Sequence, residues 1–250
     1  MLSLLLPTSF AIPLHQFFEA AGILIGVQYY RYLRKKNGLE SFYTGASFSI
    51  LIGCLLGAGI GNKALYWLEH PHLWEKLYTA PFLIFTGQSI VGGLIGGWLG
   101  VEIAKYFSGV KQSTGDLFVG PILLGLAIGR VGCLLAGLQD ETFGIATSLP
   151  WSINYGDDIA RHPTPIYEII FVLLLWFCLE KIRPAISHES GLLFKIMFVS
   201  YLLWRLAIDN IKPVAYEFAW GLSGIQWACI IILIFYLPLT LRSYLHWHKG

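Results

Sequence analysis

Two arginines stand inside apolar segments of the sequence and could bind an anion. Arg130 lies within the apolar run 125–132, and Arg205 lies four residues after Tyr201 and four before Asp209. Residues four apart share one face of a helix, so Tyr201, Arg205 and Asp209 should project together. An arginine in hydrocarbon is costly without a partner or an anionic ligand. The planar guanidinium suits bidentate contact with phosphate, which predicts a lipid-phosphate site. The alternative is an ion-pair network that only fixes helix packing.

The other polar residues of the apolar segments should lie at the same depth as these arginines. Counting about 1.5 Å per residue from the outer end of each predicted helix places them in the outer part of the membrane. We predict that Arg130, Arg205, Glu168 and Asp209 meet in one charged site at that depth. The full set predicted to converge is Glu19, Lys63, Gln88, Ser89, Arg130, Glu168, Arg205 and Asp209.

The composition indicates a membrane protein. Of 250 residues, 56% are hydrophobic and 13% are charged, which excludes an ordinary soluble domain. A net charge of +2 gives no argument for nucleic acid as a partner. The four cysteines all lie in apolar runs without disulfide or metal-ligand spacing, so three of them are interpreted as small apolar packing residues. Cys133 differs from the other three because it lies one helical turn after Arg130.

Seven segments are long and apolar enough to be predicted as membrane spans, giving an all-α membrane protein with a single domain over residues 1–250. Basic residues cluster after the first, third, fifth and seventh segments. By the positive-inside rule the N-terminus is outside and the C-terminus is cytoplasmic. The longest connection, 138–163, is then a polar outer loop. The predicted spans are residues 10–31, 45–67, 81–104, 117–138, 164–181, 191–211 and 222–241.

Glycines at helical spacing mark the second and third spans. Gly53, Gly57 and Gly61 lie in the second span, and a similar series lies in the third at residues 92, 96 and 100. Small residues four apart let helix backbones approach closely, so most of these glycines should serve helix packing. For Gly92 and Gly93 a second interpretation is a thin wall beside a lipid headgroup.

Four blocks together resemble the bacterial prolipoprotein diacylglyceryl transferases over nearly the whole chain. The resemblance rests on the run 129–132 with Gly137 and Gly144, on 149–151, on 161–168, and on 205–209 with 221–226. It implies transfer of the diacylglyceryl group of phosphatidylglycerol to the lipobox cysteine of a preprolipoprotein, in the bacterial plasma membrane, without a metal or soluble cofactor. The catalytic residues expected on this basis are Arg130, Arg205, Glu168 and Asp209. The substrate-binding residues expected on the same basis are Lys63, Ser89, Gly92, Gly93, Cys133, Gly144, Arg161, His162 and Tyr167.

The sequence departs from that family at positions that matter for acid–base chemistry. Val91 stands where the family usually has a histidine or a polar aromatic residue, and Phe17 where many members have a tyrosine. Glu168, Asp209 and His162 remain as candidate bases for the thiol. The alternatives are therefore a phospholipid-binding homologue without transfer and a transferase for another acceptor. A transporter is disfavoured because the charges collect at one depth.

Overall fold

The computed structural model describes residues 2–3, 8–39 and 45–249, and helices dominate them. A small sheet also forms from the strands β1 (Leu2–Ser3), β2 (Ile153–Asn154) and β3 (Ala160–Arg161). In this sheet β1 pairs in parallel with β2, and β2 pairs antiparallel with β3. The helices are α1 Thr8–Lys36, α2 Gly45–Glu69, α3 Ile90–Ser108, α4 Val119–Ala136, α5 Thr164–Ile182, α6 Leu192–Ile208 and α7 Gly224–Lys249.

Each predicted span corresponds to one of these helices, but the third was placed too early. Residues 81–85 form a separate 3-10 helix, and α3 begins only at Ile90. Gly87 has a φ of 66°, which breaks the helical path, and Ser89 then caps α3 by accepting a hydrogen bond from the Gly92 amide. By length and composition, four helical stretches of the described chain can cross a membrane: Gly45–Glu69, Ile90–Ser108, Gly115–Asp140 and Gly224–Trp247.

The predicted close helix packing at the glycines is confirmed, and the structure shows that it joins α2 to α3. A Cβ added at Gly57 would lie 2.2 Å from the Gly96 carbonyl oxygen, and one at Gly53 would lie 2.5 Å from that of Gly100. The glycines of the two series therefore meet backbone to backbone, as small residues allow in membrane helices. This packing also corrects the prediction for Gly92, whose added Cβ would lie 2.2 Å from the Gly61 carbonyl oxygen. Gly92 faces α2 and serves packing.

Helices α1 and α4 pack in the same close manner, which brings His15 beside the arginine helix. An added Cβ at Gly22 would lie 2.8 Å from the Gly125 carbonyl oxygen. One at Gly132 would lie 3.1 Å from the His15 carbonyl oxygen and 3.2 Å from its Cα. The absence of a side chain at Gly132 thus lets α1 approach α4 directly next to Arg130.

Helix α6 runs through the centre of the hydrophobic core. Phe198, Tyr201 and Leu202 are fully buried, and Val91 of α3 belongs to the same core with no exposed surface. Aromatic side chains fill the surrounding space, with Phe198 edge-on to Tyr236 of α7. The polar end of α6 is therefore held at a fixed position by a closely packed helix body.

Candidate functional site

Four charged side chains form one buried network at the polar ends of α4, α5 and α6. Arg130 Nη2 lies 2.8 Å from Glu168 Oε2, and Arg205 Nη2 lies 2.7 Å from Asp209 Oδ1. Arg205 Nη1 also reaches Glu168 Oε2 at 3.4 Å, and Tyr201 donates a hydrogen bond of 2.6 Å to Glu168 Oε1. The four residues predicted as the catalytic group are thus brought together, and Tyr201 shares their face as expected. We call Arg130, Glu168, Arg205 and Asp209 the arginine network.

The elements around the network explain why the charges are tolerated there. Glu168 lies near the N-terminus of α5, where the helix dipole favours a negative charge. Arg205 and Asp209 lie one turn apart at the end of α6, so their pairing follows from helix geometry. Arg130 and Arg205 are each 3% exposed, and a buried charge left unpaired at such a position would cost several kcal/mol. The carboxylates therefore stabilise both cations in the protein without a ligand.

Both arginines nevertheless keep a donor that the protein does not use. The Nε atoms of Arg130 and Arg205 are buried and have no hydrogen-bond partner among the described residues. Buried N–H groups in native proteins are nearly always paired, so two unpaired donors in one network require an explanation. An anionic ligand that accepts from both guanidiniums would satisfy them, and phosphate oxygens have the required geometry.

The polar network continues into the segment between α6 and α7. Asp209 Oδ2 accepts a hydrogen bond of 3.3 Å from Ser223 Oγ, and Gln226 Oε1 accepts one of 2.9 Å from the Ser223 amide. Lys212 lies just beyond α6 and is half-buried. Burial, together with the nearby positive charges of Arg205 and Arg130, lowers the pKa of Lys212 from 10.5 to about 7. This lysine can therefore gain a proton when an anion enters.

A second polar group lies beside Arg130, on the opposite side from Glu168. Arg130 Nη1 donates to Cys133 Sγ at 3.4 Å, and the donor atoms of Cys133, His15 and Asp140 lie within 4.8 Å of one another. Such a spacing can suit a metal ion, but the guanidinium beside the sulfur opposes a further cation there. We therefore interpret the group as one that handles protons rather than a metal.

The remaining predicted residues of α2 and α3 have mainly local roles. Lys63 Nζ donates to the Gly87 carbonyl oxygen at 2.6 Å, and the Ser89 amide donates to Asn62 Oδ1 at 2.8 Å. Ser89 is thus occupied as the cap of α3. Gly93 differs from Gly92 because it lines a cavity and its added Cβ would meet only ordinary contacts at 3.7 Å.

That cavity has a volume of about 780 Å³ and lies between the α1/α4 and α2/α3 pairs. Its lining is mostly apolar, with Glu19 and Gln88 at one end and Lys105 and Lys195 at the other. The two arginines do not line it, but Gly129, adjacent to Arg130, does. The cavity therefore adjoins α4 at the residue next to Arg130.

The residues predicted from the outer loop form a connected group of their own. Gly144 donates its amide to the His162 carbonyl oxygen at 2.9 Å, and a Cβ there would lie 2.5 Å from His162 Cβ. His162 Nδ1 lies 3.2 Å from the Tyr167 hydroxyl, which accepts a 2.7 Å bond from Trp151 Nε1. Arg161 pairs with Asp157 at 2.6 Å. These contacts hold the loop over the start of α5.

Three residues of the site were missed by the predictions from sequence. His15, Asp140 and Lys212 each lie next to the arginine network or to Cys133, and none of them was predicted as a site residue. For His15 a signal existed, since an imidazole in an apolar run four residues before Glu19 is unusual in a membrane segment. For Lys212 the signal was its place seven residues after Arg205, which is two helical turns. Asp140 reaches His15 through the turn after α4, which residue spacing does not reveal.

Comparison with known proteins gives consistent results over most of the chain. The sequence model of the family described as prolipoprotein diacylglyceryl transferase matches residues 3–242. Proteins named phosphatidylglycerol–prolipoprotein diacylglyceryl transferase are similar to this chain. One from Dehalococcoides mccartyi is 37% identical over 179 residues, which are 66% of each chain, just under two thirds. One from another strain of that species is 33% identical over 218 residues, covering 82% of this chain and 79% of the relative. The protein from Thermotoga maritima is 29% identical over 204 residues, covering 76% and 68%.

Proposed function

Because the chain belongs to the prolipoprotein diacylglyceryl transferase family, we propose that it transfers the diacylglyceryl group of phosphatidylglycerol to a prolipoprotein. The acceptor is the thiol of the lipobox cysteine, and glycerol phosphate is released. The observation that carries this assignment is the buried pair Arg130 and Arg205, each with an unpaired Nε–H.

The chemistry requires stabilisation of the leaving group. A thiol sulfur forms a bond to the terminal glyceryl carbon, and the bond from that carbon to the phosphate oxygen breaks. Negative charge then develops on the departing phosphate. Fixed cations in a site with little water stabilise such charge strongly, because they need no reorganisation during the reaction. Arg130 and Arg205 supply these cations, and Lys212 adds a third positive charge once it is protonated.

Glu168 was a candidate base for the thiol, but its contacts indicate a different role. It accepts hydrogen bonds from Arg130, Arg205 and Tyr201, so it has little capacity left to take a thiol proton. We assign Glu168 as a positioning residue that holds both guanidiniums at a fixed separation. Asp209 holds Arg205 from the other side and accepts from Ser223.

The acyl chains of the lipid need an apolar compartment close to the phosphate. The cavity beside Gly129 supplies one, since it is mostly apolar and has the volume expected for a ligand pocket. Its outer end reaches Gln88 and Glu19 near the second polar group. A lipid with its phosphate at the arginines can thus extend its chains along α4 into this cavity.

The proposed reaction also requires a particular orientation of the chain in the membrane. We propose that all seven helices cross the bacterial plasma membrane as one domain, with the N-terminus outside and the C-terminus cytoplasmic. The basic residues between 31 and 36 and those at 181 and 183 support this orientation. The arginine network then lies at headgroup depth of the outer leaflet, below the loop 138–163 where a preprolipoprotein signal peptide arrives.

Phospholipid binding without transfer is the second candidate function. It is favoured by Val91, which stands at the place of the family's usual histidine and is fully buried in the core. Replacement of the endogenous family enzyme in a conditional bacterial strain distinguishes the two. We expect the parent chain to support growth and the Arg130→Ala variant to fail. A parent that is inserted and stable but cannot support growth would favour the binding role.

A further inference from the structure

His15 is the centre of an acid–base group that the arginine network does not include. Its Nε2 lies 3.4 Å from Glu19 Oε1 and 3.4 Å from Asp140 Oδ1. Cys133 completes the group through its Sγ. We call His15, Glu19, Asp140 and Cys133 the His15 cluster. Three separate elements contribute to it, namely α1, α4 and the turn that follows α4.

The two carboxylates determine which ring nitrogen of His15 is available. Because both lie at Nε2, they favour a proton on that nitrogen and orient the ring. The neutral imidazole then has its lone pair on Nδ1. This atom is buried and has no hydrogen-bond partner in the described part of the chain. A histidine oriented by carboxylates through one nitrogen, with the other free to accept, is the arrangement of a general base.

We propose that His15 is the general base that removes the proton from the acceptor thiol, an inference that rests on the function proposed above. The thiol proton moves to His15 Nδ1 as the sulfur forms its bond to the glyceryl carbon. The phosphate oxygen departs with the electron pair of the broken bond, and glycerol phosphate leaves. The proton on the imidazole then passes to water or to the departing phosphate, which restores the neutral base.

The position of His15 suits this step. Cys133 lies between His15 and Arg130, so the base and the cation for the leaving group flank the same small region. A displacement at carbon needs its nucleophile and its leaving group on opposite sides of that carbon. His15 is half-buried, and a substrate must shift the side chains around Nδ1 to reach it. Catalytic hydrogen bonds are commonly completed only in the substrate complex.

The bases considered from the sequence are all engaged elsewhere. Glu168 is bound to both arginines, and Asp209 is bound to Arg205 and Ser223. His162 directs its Nδ1 to the Tyr167 hydroxyl. In the described chain, His15 is the histidine that remains beside Cys133 and Arg130.

Charges on every neighbouring element influence the proton on His15. Glu19 on α1 and Asp140 after α4 stabilise the imidazolium that proton transfer creates, whereas Arg130 on α4 opposes it. Cys133 faces the ring from α4, and Lys63 of α2 acts on Glu19. Because two carboxylates lie at the ring and Arg130 already pairs with Glu168, the imidazolium that forms during proton transfer is stabilised by ion pairing.

The test is the pH dependence of diacylglyceryl transfer to a lipobox peptide by the full-length chain. His15→Gln keeps a donor for the carboxylates but removes the base. We expect its rate near pH 7 to fall by about 100-fold, with the loss shrinking at alkaline pH as the thiol ionises by itself. His188→Gln, an exposed histidine between α5 and α6, is the matched control and should follow the parent.

A second acceptor separates a base from a merely structural residue. A peptide with selenocysteine in place of cysteine carries a nucleophile that is already ionised at neutral pH, so it should remove most of the loss in His15→Gln. If His15→Gln fails to fold, Asp140→Asn should show a smaller loss with the same pH dependence. A rate for His15→Gln that equals the parent, or falls by one constant factor at every pH with both peptides, overturns the inference alone. A parent without transfer at any pH overturns the proposed function as well.

Discussion

Arg130 of α4 and Glu168 of α5 form a buried ion pair, with Nη2 of the arginine 2.8 Å from Oε2 and 3.0 Å from Oε1 of the carboxylate. The pair leaves Arg130 Nε unsatisfied and leaves Nη1 directed at Cys133. One guanidinium therefore connects the proposed phosphate-binding side of the site to the His15 cluster. Removing either partner should affect both halves of the reaction.

Loss of charge at the arginines should lower turnover far more than loss of an arginine on the surface. Arg130→Ala and Arg205→Ala should each reduce the rate of phosphatidylglycerol turnover by about 100- to 1,000-fold, since each removes a cation that stabilises developing charge. Lysine at either position should restore only part of the rate because the bidentate fork is lost. Arg183→Ala, which breaks a pair with Glu180 at the surface, is the control. Two alanine variants with parental turnover would assign these arginines to packing.

The hydroxyl of Tyr201 should contribute to stability through Glu168. Tyr201→Phe removes the 2.6 Å hydrogen bond and leaves the buried carboxylate with one donor fewer. The expected cost is about 1–3 kcal/mol in the free energy of unfolding, measured by denaturation in detergent. Tyr106→Phe, at an exposed position on α3, should change it little. Equal stability of the two variants would show that Glu168 does not depend on the hydroxyl.

The close approach of α2 and α3 should fail when a side chain is introduced between them. In Gly57→Ala the new Cβ would lie 2.2 Å from the Gly96 carbonyl oxygen, so the helices must separate. We expect a lower melting temperature and reduced yield of folded protein. Gly59→Ala is the matched control, because nothing lies within 4 Å of its added Cβ. A melting temperature unchanged by Gly57→Ala would contradict the packing described for this pair.

The lowered pKa of Lys212 predicts a specific dependence of stability on pH. The value is about 7 in the folded protein and about 10.4 in the unfolded chain, so the unfolded chain binds more protons between these two values. Stability should therefore rise as the pH increases from about 7 toward 10. Lys212→Met should flatten this rise and melt at a higher temperature than the parent at neutral pH. Lys76→Met, at an exposed position, should keep the parental curve, and a parental curve for Lys212→Met would contradict the assignment.

The sequence was informative wherever periodicity and the cost of burying charge act together. Periodicity predicts the positions of the helices and the close packing at the glycines of α2 and α3. The cost of burying charge predicts that Arg130 meets Glu168 and Arg205. The start of α3 was wrong because Gly87 and Ser89 terminate an apolar stretch that hydropathy alone reads as continuous.

Contacts made through turns were less accessible. Asp140 reaches His15 because the chain turns back after Gly137, which has a φ of 59°. Gly92 faces α2, whereas the adjacent Gly93 faces the cavity. The sequence does not reveal this difference, because it depends on how α3 packs. The short strands of the outer loop also depend on partners far apart in the chain, such as β1 with β2.

The central claim is that this chain uses its buried arginines to transfer diacylglyceryl from phosphatidylglycerol to a thiol. The most direct measurement incubates the purified full-length chain with isotopically labelled phosphatidylglycerol and a lipobox peptide, then quantifies modified peptide and glycerol phosphate by mass spectrometry. The account predicts equal amounts of the two products from the parent. It predicts about 100-fold less of both products from Arg130→Ala, compared at the same lipid-binding capacity of the apolar cavity in the two proteins. A folded parent that binds phosphatidylglycerol but yields neither product at any pH between 6 and roughly 10, the range over which the thiol ionises, would contradict it.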